Sequence, residues 1–305
     1  LSYFLKKNGQ EFSYFLVVDF PFDALDYAVA YAKKNHIVLL HDSLEWYSPS
    51  EFKFGRLNPM YIHRDRLNRY KITKEFNVIA ISTYLENYFR NKGCNTIRIP
   101  AILTQMTESQ RSKIKDKVIV TYVGLPEKKD KILDILNSYI SLPQDERNTL
   151  ELRIVGISAE QLRKTFRLTP VKMSEYTRDV IFYGRVPREE ALKLLCDTHF
   201  SIFYRNAHER YSKAGFPTKV AESTSFGKPI VTNYTSDLSL YLFHKENSVI
   251  IGDGDCAINE ALRYVSKMSD VDYENMIRKA FDTYRSWFDY SVYENQMRGF
   301  LNVCR

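Results

Sequence analysis

Short runs rich in Val, Ile, Leu and aromatic residues alternate with longer amphipathic stretches along the whole chain, the pattern of parallel βα units. In the first third this pattern predicts strands over residues 13–18, 36–40, 77–81 and 96–99. Helices are predicted over 22–34 and 83–92, with a basic helical stretch at 56–73. Residues 104–117, TQMTESQRSKIKDK, lose the pattern and read as a polar linker. Beyond them strands are expected at 118–123, 150–155, 180–183, 199–204 and 248–251, with another starting at residue 228. The intervening helices fall at 129–140, 159–166 and 188–196. The fold class is therefore α/β, with two Rossmann-like, doubly wound parallel-sheet domains over 1–103 and 118–285. A C-terminal helix over 286–305 is expected to pack back on the first domain.

Composition narrows the function classes. The 305 residues suffice for two cores, and a hydrophobic fraction of 44% is ordinary for a globular protein. No apolar run approaches the roughly 20 residues that cross a bilayer. Cys94, Cys196, Cys256 and Cys304 are far apart and form no metal-type pair, which fits reduced thiols in the cytoplasm. With 44 basic and 37 acidic residues the net charge is +7, which favours an anionic partner: nucleotide phosphates, lipid headgroups or nucleic acid. The opening LSYFLKKNG reads as the end of a helix already under way, so the first domain is expected to be incomplete.

In sheets of this kind ligands bind beyond the carboxyl ends of the strands, so three loops carry the candidate chemistry. The first, YVGLPEKKDK, has Gly124 at a strand exit and Lys128 and Lys129 opening the next helix. These lysines fit either a solvated charge run or a diphosphate partner. The second, FYGRVPREEALKLL, places Gly184 and Arg185 beyond a strand. The third gathers Arg205, His208, Glu209, Arg210, Lys213 and Lys219 before YSKAGFPTKVAESTSFGKPIVTN. There Gly215 lets the backbone approach a ligand, Pro217 suits a first helical turn, Glu222 lies about one turn further in, and Gly227 ends the helix. Three cationic loops are thus expected at one sheet edge. Neither a phosphate-loop motif nor a Gly-x-Gly-x2-Gly fingerprint is present, which disfavours an ordinary ATPase and a dehydrogenase.

On these residues the chain resembles the retaining glycosyltransferases of the GT-B fold, family 4, which build bacterial surface polysaccharides and glycolipids. The resemblance is densest over 180–233. Gly215, Phe216 and Glu222 match the family's Glu-Gly-Phe followed by a second glutamate, with Ala214 in place of the first glutamate and Leu125 in place of the usual arginine. It implies two domains facing a cleft, 1–103 on the acceptor side and 118–285 on the donor side, with a further strand and glycine-rich loop ahead of Leu1. It also implies a metal-independent hexosyltransferase without cofactor, whose donor is a nucleotide diphosphate sugar and whose acceptor is a glycan or lipid-linked hydroxyl. His41, Lys129 and Glu222 would be catalytic. Gly124, Lys128, Gly184, Arg185, Arg205, Ala214, Gly215, Phe216, Pro217, Thr218 and Lys219 would bind the donor. The leaving diphosphate would accept the acceptor's proton in a same-face displacement.

Other readings stay open on the sequence. Ala214 fits a non-catalytic GT-B-like module that binds a nucleotide sugar or glycan, and charge with aromatics fits a basic nucleic-acid-binding α/β protein, although no recognition motif for nucleic acid is present. The stretch 52–71 mixes Arg56, Arg64, Arg66, Arg69 and Lys71 with Phe52, Phe54, Tyr61 and Tyr70. It fits a solvated helix face, an acceptor lid, or peripheral contact with the inner face of the plasma membrane.

Overall fold

The computed structural model describes residues 12–104, 117–126 and 129–304. The predicted linker falls almost wholly, and Lys128 wholly, outside the described residues. The chain divides into two compact units. One comprises Leu1–Ala101, His208–Phe216 and Tyr290–Arg305; the other comprises Ile102–Ala207 and Pro217–Asp289. The sequence boundaries kept 118–285 together, whereas the segment His208–Phe216 belongs to the first unit.

The first unit opens with β1 (Tyr14–Val17), α1 (Phe22–Lys34) and β2 (Val38–Ser43), and continues through α2 (Pro59–Arg66), β3 (Asn77–Ala80), α3 (Thr83–Asn91) and β4 (Asn95–Arg98). Its four strands are parallel, in the order β1-β2-β3-β4. His36, expected in a strand, turns the chain at φ +55°, and β2 instead runs on through His41 and Asp42. The basic stretch breaks into a short turn at Gly55–Leu57, helix α2 and a wider turn at Leu67–Lys71. The break is local chemistry: Phe54 and Gly55 both have positive φ, and the Asn58 side chain accepts from the Met60 and Tyr61 N–H groups, starting a new helix at Pro59. At the far end the Lys92 ammonium donates to the carbonyls of Asn68 (2.8 Å), Arg69 (3.0 Å) and Ile72, satisfying acceptors that the helix leaves open.

The second unit contains β5 (Val118–Val123), α4 (Ile132–Ser141), α5 (Gln144–Asn148), β6 (Leu150–Val155), α6 (Ala159–Thr165), α7 (Pro170–Asp179), β7 (Val180–Gly184), α8 (Arg188–Cys196) and β8 (Phe200–Ile202). The chain then forms α9 (Arg210–Ala214) within the first unit and returns to the second for α10 (Thr218–Ser225), β9 (Ile230–Thr232), β10 (Ser248–Ile250), α11 (Ala257–Ser266) and α12 (Asp270–Trp287). The second sheet is parallel, in the order β10-β9-β8-β5-β6-β7. After β5 the chain builds outward to β7, then comes back to lay β8 on the other side of β5. The carboxyl ends of β5 and β8 therefore flank a topological switch point, where such sheets open a crevice for ligands. Helix α4 begins at Ile132 rather than 129, because Asp130 bridges to Arg205 and the Lys131 N–H donates to the Tyr204 carbonyl at 2.8 Å.

The last helix, α13 (Glu294–Val303), returns to the first unit. Phe300 and Tyr293 pack on Leu40, Ile97 and Ile99, so two strands bury their apolar residues against the end of the chain. Among the described residues no helix is long and apolar enough to cross a membrane, and all four cysteines are free. Phe300→Ala is expected to destabilise the first unit by about 3 kcal/mol through lost burial and the cavity it leaves. Thermal unfolding checks this; an unchanged midpoint would mean that α13 does not cover the sheet.

Candidate functional site

At the switch point the structure assembles a buried charge cluster around Asp130, a residue that the sequence reading passed over inside a lysine-rich run. Asp130 is 5% exposed. Its Oδ1 accepts from Arg205 Nε at 2.6 Å, and its Oδ2 accepts from the Lys219 ammonium and from the Tyr122 hydroxyl at 2.7 Å. Burial by itself would raise the Asp130 pKa, but the charges and hydrogen bonds of Lys219 and Arg205 outweigh it and hold the carboxyl down at about 2. Burial lowers the Lys219 pKa, with Asp130 working against it. Two cations share one carboxylate, which leaves a net charge of +1 beside the carboxyl ends of β5 and β8.

Backbone and ring contacts hold those cations in place. Lys219 Nζ sits 4.1 Å from the centre of the Tyr122 ring, and the Arg205 guanidinium lies 5.7 Å from that of Phe203. The Asn233 side chain accepts from the Arg205 N–H at 3.1 Å and donates to its carbonyl at 2.8 Å, fixing the loop after β8. Gly124 has φ +143°, and a Cβ there would lie 2.9 Å from Lys219 Nζ. A Cβ on Gly156 would lie 2.1 Å from the Gly124 carbonyl oxygen, so both loops need glycine for close approach.

Lys219 is also in the first turn of α10, whose Thr218 and Lys219 N–H groups lack a carbonyl one turn earlier in the helix. Pro217 stands at the N-cap, one position before the first-turn place expected for it, and Gly227 ends the helix at φ +67° as expected. Glu222, one turn in, is half-buried with its Oε1 3.5 Å from an Arg188 guanidinium nitrogen. Burial raises its pKa, while Arg188 and Lys219 pull it the other way. Positive charge, a helix start and a carboxylate one turn on thus sit together in this unit. Such a set can hold a diphosphate and receive a hydroxyl hydrogen bond.

The remaining predicted residues are placed less uniformly. Lys129 adjoins Asp130 in sequence and is half-buried. Gly184 has φ +70° and its carbonyl accepts from the Gly156 N–H at 2.7 Å, a loop-to-loop contact, while Arg185 beyond it is exposed. Ala214, Gly215 and Phe216 belong to the first unit. Ala214 is fully buried and its carbonyl accepts from the Ser82 hydroxyl at 2.6 Å. Gly215 has ordinary extended backbone (φ −84°, ψ 160°); its lack of a side chain matters because a Cβ would lie 3.2 Å from Glu45 Cγ and 3.1 Å from the Tyr211 carbonyl oxygen.

His41 lies in β2, 2% exposed. Its Nδ1 is 3.0 Å from the Val17 carbonyl, which can only accept, so the proton is on Nδ1 and Nε2 presents a lone pair. Nε2 is buried without a hydrogen bond, and the Phe89 ring lies edge-on at 5.7 Å. Burial pushes the His41 pKa down to about 4 against the opposing pull of the Val17 carbonyl, so the ring is neutral at pH 7. A neutral ring of this tautomer can accept a hydroxyl hydrogen bond. Arg210, grouped by sequence with the cationic loops, instead fastens α9 within the first unit. It pairs with Asp65 at 3.0 Å, donates to the Tyr47 carbonyl and the Tyr61 hydroxyl (3.1 Å), and stacks on Trp46 at 4.7 Å.

Comparison with known proteins bears on the family and the fold. The glycosyl transferases group 1 family matches residues 105–283, more than half of the chain, and the chain belongs to that family. It is 23% identical over 261 residues to an uncharacterized glycosyltransferase of Methanocaldococcus jannaschii, covering 82% of this chain and 62% of that protein. The chain thus spans about three fifths of the length of the curated relative it matches. HepE from Anabaena, solved in complex with UDP and glucose, superposes with a TM-score of 0.72 at 14% identity, over 99% of this chain and 81% of that one. Sucrose-phosphate synthase from Thermosynechococcus elongatus gives 0.73 at 14% identity, over 99% and 75%. These likenesses define the fold as two parallel-sheet α/β domains of the GT-B glycosyltransferase type.

The Asp130 cluster makes a pH-dependent contribution to stability. The Asp130 pKa is depressed on folding, so its contribution is complete above the usual carboxylate range and is lost as pH falls from about 4 to 2, a change of about 2 kcal/mol. Asp130→Asn is expected to cost about 3 kcal/mol at pH 7 by leaving two buried cations without their anion, and to flatten the acid limb. Denaturant midpoints measured from pH 7 to pH 2.5 check both; parallel acid limbs for the two proteins would refute the assignment.

Proposed function

We propose that the protein is a retaining glycosyltransferase that moves a hexosyl group from a nucleotide diphosphate sugar to a hydroxyl acceptor in polysaccharide or glycolipid synthesis. The observation that carries this reading is the net-positive cluster of Lys219 and Arg205 on Asp130, at the switch point and at the start of α10, in a chain of the glycosyl transferases group 1 family. The diphosphate of the donor lies against Lys219, Arg205 and the first-turn N–H groups of α10, and Glu222 accepts from the ribose. As the bond from the sugar's anomeric carbon to the diphosphate breaks, the charge that develops on the leaving oxygen meets these fixed cations. The acceptor oxygen forms the new bond on the same face, and its proton passes to the departing diphosphate. HepE, a structure of similar fold, holds UDP and glucose, so a uridine nucleotide is the first donor to test.

A second reading, a nucleotide-sugar-binding module without turnover, is favoured by Ala214, whose buried methyl supplies no carboxylate. One set of measurements separates the two. UDP, GDP and ADP with their common sugars are screened for thermal stabilisation, and the stabilising donor is then assayed for hydrolysis and transfer. A transferase shows both, and Glu222→Ala weakens donor affinity about tenfold while Lys219→Ala lowers turnover about a hundredfold. Stabilisation without turnover supports the module; intact affinity and transfer in Glu222→Ala overturns the placement of the donor.

Contact with an anionic membrane bearing a lipid-linked acceptor is part of this proposal. Phe54, Leu57 and Met60 are 74%, 80% and 54% exposed beside Lys53 and Arg56. Vesicle flotation is expected to show retention on phosphatidylglycerol over phosphatidylcholine at physiological salt; equal retention would exclude it.

A further inference from the structure

The first unit contains a cavity of about 630 Å³ whose walls include Arg56, Arg66, Arg69 and Arg210 against Asp65 and Glu209. Four guanidinium groups against two carboxylates leave a surplus of two positive charges (4 − 2). Asp65 is already engaged: it accepts from Arg69 at 2.6 Å and from the Trp46 indole at 2.9 Å, and pairs with Arg210 at 3.0 Å. Arg69 and Arg210 are therefore built into the wall. Arg56 and Arg66 are exposed and make no ion pair among the described residues, so the surplus charge resides on them. Tyr61 is buried with its hydroxyl held by Arg210, and Tyr70 is 69% exposed, so the lining offers aromatic surface beside the arginines.

An arginine fork matches the spacing of phosphate oxygens, and two forks without an ion pair among the described residues at one cavity fit a phosphate or diphosphate better than a neutral sugar. We propose that this cavity is a phosphate subsite, in which Arg56 and Arg66 grip the phosphate or diphosphate of a phosphate-bearing molecule against a wall set by Asp65, Arg69 and Arg210. That the molecule is the acceptor rests on the proposed function; the binding itself does not.

The chain has two tryptophans, and Trp46 stacks on Arg210 and Arg69 at 4.7 and 5.3 Å, which makes it a reporter for this cavity. Trp287→Phe leaves Trp46 alone. In that background, titration with pyrophosphate is expected to change Trp46 emission saturably, and Arg56→Gln with Arg66→Gln is expected to weaken the apparent affinity about tenfold at unchanged melting temperature. A second arm uses vesicles of phosphatidylglycerol and of phosphatidylcholine. A response to phosphatidylglycerol that the double variant loses identifies a lipid headgroup, and a response to pyrophosphate alone identifies a soluble phosphoester. The proposal is overturned if neither probe changes the emission, or if the double variant binds as tightly as its parent. Stabilisation of the unsubstituted chain by UDP reports on the transferase reading separately.

Discussion

One carboxylate holding two cations organises the second unit. Asp130 reaches Arg205 at the exit of β8 and Lys219 at the start of α10, while its own loop leaves β5. Three segments distant in sequence are thereby tied at the one place where the strand order reverses. Desolvating three charges is expensive, and the cluster is tolerated because each is paired and the Tyr122 hydroxyl adds a further hydrogen bond. The glycines follow from the same constraint. Gly124 gives Lys219 room, and Gly156 gives Gly124 room, so removing side chains at two turns lets the ammonium reach the carboxylate.

The first unit uses the same device with different residues. Asp65 is shared by Arg69 and Arg210, and the Trp46 ring lies under both guanidinium groups. This pairing fastens His208–Phe216 to a unit otherwise built from residues 1–101 and 290–305. Ser82 Oγ on the Ala214 carbonyl and Ser48 Oγ accepting from the Tyr211 N–H at 3.3 Å do the same work with neutral groups. The division of the chain accordingly falls between Phe216 and Pro217, inside the motif that the family resemblance treats as one donor cradle. In both units a cation beyond the strict one-to-one pairing is retained, which keeps the local charge positive.

Much of the fold was legible from local signals. Strands Val118–Val123 and Leu150–Val155 and helices Phe22–Lys34 and Arg188–Cys196 match the pattern residue for residue, because an apolar run or an amphipathic period of that length has one way to bury its face. The helix Pro170–Asp179 was missed although its start is written in the sequence: Thr169 caps it and Pro170 takes the first position. The basic stretch was read as one helix because its composition is uniform, while its breaks come from positive φ at Phe54 and a capping Asn58.

The candidate site divides along the same physical line. Sequence alone determined the parallel α/β class, the loops that end its strands, Gly124 at one strand exit, and Lys219 and Glu222 beside a helix start, since all of these depend on neighbours within a few positions. It could not distinguish Asp130 from the lysines around it, nor tell that Arg205 and Lys219 converge while Arg210 serves elsewhere. Those outcomes depend on residues 75 and 89 positions apart meeting at one carboxylate. Only the order of strands in the sheet brings them together, and only burial there makes their pairing strong enough to hold the loops in place.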